Sequence, residues 1–99
     1  MSFEELQRSV ERDTAAPAGL SAPLQALWHD ARGDWDAAHK CVQDDSSGDG
    51  AWVHAYLHRK EGDTANAGYW YSRAGKTMPS SSTTLGAEWS NLARTLLEA

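Results

Sequence analysis

Two histidines one helical turn apart, His54 and His58, are the residues of this chain best spaced for chemistry. Side chains at i and i+4 share a helix face, and imidazoles placed in this way commonly begin a zinc site. His29 stands where an earlier, weaker copy of the same stretch has its equivalent of His58. The metal set the sequence offers is therefore His29, His54 and His58. Residue 55 is Ala, so the His-Glu-x-x-His helix of metalloproteases is absent. No cysteine or carboxylate is placed to complete a tetrahedron, Asp30 and Glu61 being the nearest acids in sequence. On balance the sequence favours structural histidines, each bonded to a backbone carbonyl or a tyrosine hydroxyl between packed helices. It predicts that zinc leaves the melting temperature unchanged. No cofactor is expected. His39, where the second copy has Gly68, is expected on the outer face of its helix.

Other chemistry is thinner. Cys41 and His39 are two residues apart, which on one helix turns them about 200° from each other, so they cannot form a thiol–imidazole pair. Gly75-Lys76-Thr77 is like the end of a phosphate-binding loop, but Trp70 stands where that motif needs glycine. The acidic stretch Asp44 to Gly50 lacks the alternating oxygen ligands and distal glutamate of a calcium loop, and reads as a solvated turn. Glu61 and Asp63 could serve acid–base chemistry, but nothing places them around a pocket. With no nucleophile elbow or dinucleotide fingerprint present, the chain reads as non-catalytic.

These residues must be positioned by helices. Setting Gly62-Asp63 on Gly33-Asp34, an offset of 62 − 33 = 29 residues, matches Ala55 to Ala26, His58 to His29 and Ala67 to Ala38. The shared pattern is helix, tight turn, helix, used twice. Glycine suits the left-handed residue that ends a helix, and aspartate suits the N-cap of the next. The expected fold is all-α, a single domain over 1–99 with five to six helices. A capping box at Ser2 and Glu5 opens an N-terminal helix within 1–13. Repeat one covers 21–43, with helices ending at Arg32 and running from Asp34 to Gln43. Repeat two covers 50–75, with helices over Ala51 to Glu61 and Asp63 to Ala74. A last helix over 85–98, with a seam of Leu85, Trp89, Leu92 and Leu96, is expected to cap the pair.

With 99 residues the chain holds one modest core. Its 40% hydrophobic and 23% charged residues favour folding over disorder. A net charge of −5 argues against nucleic acid and anionic membrane as partners. The opening Met-Ser-Phe-Glu-Glu lacks the basic and apolar parts of a signal peptide. Cys41 is the one cysteine, so no internal disulfide forms, and a cytoplasmic location is expected.

The segment Gly33-Asp-Trp-Asp-Ala-Ala38, with Ala55, Gly62, Ala67 and Ala74 at small-residue positions, resembles a degenerate tetratricopeptide-type repeat over about Ser21 to Gly75. It departs from that family in its period, 29 instead of roughly 34, and in the early Trp and late Pro it lacks. The string around Trp52, His54, His58, Gly62-Asp63, Asn66 and Tyr69-Trp70-Tyr71 also resembles a group of small uncharacterised microbial proteins, a likeness that implies no activity. The tetratricopeptide likeness implies a concave protein-binding surface. Trp52, Tyr56, Arg59 and Lys60 would project onto it, with Leu27 and Asp30 from the first copy. The expected function is then binding of a peptide or protein partner, or self-association such as a homodimer. The alternative is a metal- or small-ligand-binding protein, in which enzymatic action stays open, centred on His54, His58 and His29. Burial of Trp52 and Tyr56 against the terminal helices is the competing use of those aromatics.

Overall fold

The computed structural model describes residues 1–98. Six helices run in order: α1 (Phe3–Arg12), α2 (Ala22–Ala31), α3 (Trp35–Val42), α4 (Gly48–Glu61), α5 (Thr64–Ala74) and α6 (Leu85–Glu98). There is no strand among the described residues. The capping box closes as expected. Ser2 Oγ accepts from the Glu5 amide at 3.1 Å, and Glu5 accepts from the Ser2 amide at 3.0 Å.

The two hairpin turns repeat each other atom for atom. Gly33 and Gly62 both lie in the left-handed region, at φ +80° and +88°. Asp34 N–H donates to His29 O at 3.0 Å, and Asp63 N–H to His58 O at 2.9 Å. Each aspartate then caps the next helix, Asp34 Oδ1 accepting from Ala37 N–H at 3.0 Å and Asp63 Oδ1 from Asn66 N–H at 3.2 Å. Removing either carboxylate orphans a helix-terminal donor. Asp34→Ala and Asp63→Ala are each expected to lose about 0.5–2 kcal/mol in urea unfolding, with Asn at either site close to neutral.

One boundary differs from expectation. α4 begins at Gly48, inside the stretch read as a turn. Ser47 Oγ caps it by accepting from Gly50 N–H at 3.0 Å, and Asp45 Oδ1 accepts from Ser47 N–H at 2.9 Å. Gly50 is needed there, since a Cβ would sit 2.4 Å from the Asp45 carboxyl carbon. The acidic loop thus spends Asp45 on starting a helix.

The hairpins α2–α3 and α4–α5 pack side by side, with α3 and α2 both against α4. α4 is the centre: all residues from Gly50 to His58 are buried. α6 lies across α2 and α4, and α1 across α2 and α6. Indole N–H groups fasten these terminal helices. Trp89 donates to Leu27 O at 2.9 Å, and Trp28 to Ser9 Oγ at 3.0 Å. No described helix is long and apolar enough to cross a membrane.

Candidate functional site

The face of α4 turned towards α3 and α5 carries His54 and His58, and α3 brings His39 onto it. The three imidazoles each have a ligand nitrogen within 4.8 Å of the others. His39 Nε2 and His54 Nε2 lie 3.0 Å apart. His54 and His58 stack at 4.8 Å between ring centres, and the His39 ring meets them edge-on at 4.7 and 5.4 Å.

Two indoles fix this cluster. Trp35, clamped to α4 by donation to Leu57 O at 2.8 Å, stacks on His39 at 4.9 Å and 9°. Trp70 of α5 stacks on His54 at 3.9 Å and 13°. His58 Nδ1 is held by Glu61 Oε1 at 2.9 Å. Such a carboxylate contact sets both the ring orientation and the tautomer of a ligand histidine, leaving Nε2 free to bind. His54 Nδ1 is buried with no partner among the described residues.

Here the sequence reading needs correction twice. His39 is not on the outer face; it is half-buried against Trp35, His54 and His58. His29 is not part of the cluster; it lies half-buried and edge-on to Trp28 at 5.1 Å. The cause is geometric. α2 also packs against α4, but the His29 ring is turned to Trp28 and away from the cluster. The residue that meets α4 comes instead from α3, which lies against it. No pattern in the sequence singled His39 out; its counterpart at the matching site is Gly68. In the second copy Met78 fills that space, 3.4 Å from where a Gly68 Cβ would stand.

None of the three cluster imidazoles bonds a backbone carbonyl or a tyrosine hydroxyl among the described residues. They meet one another and Glu61, unlike the structural histidines the sequence favoured.

The environment keeps two of them neutral. Burial lowers the His39 pKa, and the neighbouring His58 adds to this. Burial, then His39 and His58, push His54 down to about 4. The unfolded chain takes up that proton near the ordinary value of 6.5, so folding stability is intact above 6.5 and falls as pH drops towards 4. Between pH 6.5 and about 5, before carboxylates titrate strongly, a loss of roughly 2 kcal/mol is expected. Urea midpoints across that range measure it. His54→Phe, which keeps a ring against Trp70, should flatten the curve.

Of the residues expected on a concave binding surface, Trp52 and Tyr56 are spent inside the fold and Arg59 is partly buried, while Lys60 stays exposed. Tyr56 is 2% exposed, and its hydroxyl donates to the buried Asp30 carboxylate at 2.7 Å. Burial, then Asp30, pushes that hydroxyl well above its usual pKa. Lys60 reaches the other Asp30 oxygen at 2.8 Å. Arg59 pairs with buried Glu88 at 2.8 Å, and Glu88 also accepts from Tyr71. Trp52 is 8% exposed beneath the Lys76 ammonium, which sits 4.3 Å from its ring centre. α6 packs against both α2 and α4. Comparison with protein-family models, curated proteins and solved structures finds no match to this chain.

Proposed function

We propose that this protein binds a divalent transition-metal ion, zinc in the first instance, through His39, His54 and His58. The convergence of three imidazoles from two helices carries this reading. Zinc–nitrogen bonds of about 2.0–2.1 Å in a tetrahedron put ligand nitrogens roughly 3.3 Å apart, close to the 3.0 Å between His39 and His54. Neutral imidazole is the binding form, and burial favours it at His39 and His54. An all-nitrogen set suits zinc, copper or nickel and is a poor match for calcium or magnesium. Glu61 acts as the orienting carboxylate behind His58. The scaffold is read as two tandem tetratricopeptide-like hairpins, supported by the matching turn bonds 29 residues apart. A cytoplasmic setting goes with the unpaired Cys41.

The test is zinc titration against a chromophoric chelator at neutral pH. One ion per chain is expected. His39→Ala, His54→Ala and His58→Ala should each weaken binding at least a hundredfold, and Glu61→Gln roughly 10–100-fold. His29→Ala should leave affinity unchanged. A site that responds to His29 and ignores His39 would sink the assignment.

Partner binding has one observation in its favour. Tyr69 of α5 is 54% exposed, and Arg73 stacks over both Tyr69 and Trp70. Tyrosine, tryptophan and arginine are hot-spot types. On this reading the contact surface is α5, and Tyr69→Ala should abolish any dimer seen by light scattering.

A further inference from the structure

The other side of α4, away from the imidazoles, borders a cleft of about 560 Å³. Its walls are Trp52 of α4, the 76–83 segment, and Asn91 and Thr95 of α6. That volume lies within the usual range for small-ligand sites, about 300–1,000 Å³.

The cleft is rich in donors. Lys76 has the Trp52 ring beneath it, and among the described residues no carboxylate pairs with it. The Trp52 indole N–H donates to no described residue, unlike those of Trp28, Trp35 and Trp89. The Asn91 side-chain amide and the Thr77 hydroxyl also make no bond within the described residues, while the Thr95 hydroxyl donates to the Asn91 carbonyl. The one acid on the wall, Glu88, is already matched by Arg59 and Tyr71. Pro79, Ala87 and the Trp52 ring supply apolar surface beside these donors. An ammonium on an indole face, with spare N–H and O–H groups around it and the local acid neutralised, suits an anion carried on an apolar body.

We propose that this cleft binds a carboxylate on a short apolar stem, with Lys76 as its charge partner and Trp52 as the floor for the stem. A free organic acid and the C-terminus of a peptide present the same chemistry. The site is independent of the histidine cluster, since none of the three imidazoles lines it.

The experiment is a ¹H–¹⁵N NMR titration of the full chain with three probes: 3-phenylpropionate, the peptide Ala-Ala-Phe, and the same peptide amidated. Saturable shifts of the Trp52 indole and of amides in 76–83 and 91–95 are expected with one or both free carboxylates. The amidated peptide should bind at least tenfold more weakly. Shifts with the acid alone identify a small-molecule site; shifts with the free peptide alone identify a C-terminus reader. Lys76→Met should weaken binding tenfold or more, and Lys76→Arg should retain it. Lys76 is exposed, so neither variant should disturb the fold. The proposal fails if millimolar carboxylate gives no saturable shifts, if the amide binds as well as the acid, or if Lys76→Met binds like wild type.

Discussion

Zinc at a hundred times its dissociation constant should raise the melting temperature by roughly 10–20 °C. An ion that binds only the native state stabilises it by RT ln(1 + [L]/Kd), about 2.7 kcal/mol at that excess. For a domain of this length each kcal/mol moves the midpoint by about 4–8 °C. The unfolded chain does not hold His39 near His54 and His58, so little of the gain is lost to binding there. The rise should vanish in His39→Ala and persist in His29→Ala. Acidification should erode it less than it erodes zinc binding by an exposed histidine pair, because burial already disfavours the protonated rings of His39 and His54. The sequence alone favoured no change with zinc. A flat melting temperature would restore that view and make the three imidazoles packing groups.

The different placing of His29 and His39 shows where sequence reasoning stopped. Features that act within one or two turns of chain were legible. Ser2 and Glu5 cap each other, Gly33 and Gly62 take left-handed φ, and Asp34 and Asp63 each cap the next helix. α6 runs over the span its Leu–Trp seam indicates. The pair His54 and His58 was legible for the same reason, being one turn apart on one helix. The third imidazole was not, because its place depends on which face of α3 meets α4, a matter of packing between hairpins. The start of α4 was hidden differently. Gly48, Asp49 and Gly50 have poor helix propensity, and only the Ser47 cap and the fit of Gly50 against Asp45 overcome it. The sequence left Trp52 and Tyr56 open between a binding surface and burial, and burial is what the fold shows: Tyr56 reaches Asp30 of α2, and Trp52 lies under Lys76.

Removing the Arg59 guanidinium is expected to be among the most damaging single changes in the fold. Glu88 is 4% exposed and accepts from Arg59 at 2.8 Å and from Tyr71. Arg59 also donates to the Thr83 carbonyl, so it ties α4 to both α6 and the segment before it. In Arg59→Met the stem still packs, but the carboxylate stays buried with one neutral donor. Breaking one side of a buried pair costs about 3–5 kcal/mol, since the remaining charge is desolvated without compensation. A domain of this size has only about 5–15 kcal/mol in total, so the variant should lose a large share of its stability. The neighbouring Lys60 pairs with a carboxylate that is just as buried. Asp30 is 2% exposed and keeps only the Tyr56 hydroxyl without it, so Lys60→Met should also be costly, towards the lower end of the about 3–5 kcal/mol of a broken buried pair, because water reaches the 37% exposed Lys60 side chain. Adding Glu88→Gln to Arg59→Met removes the stranded charge while keeping an acceptor for Tyr71, and should recover at least half of the loss. Urea unfolding of the two single variants and the double variant decides the matter. A loss below about 1 kcal/mol for Arg59→Met, well short of a broken buried pair, or no recovery in the double variant, would mean that the α4–α6 contact rests on apolar packing and not on this ion pair.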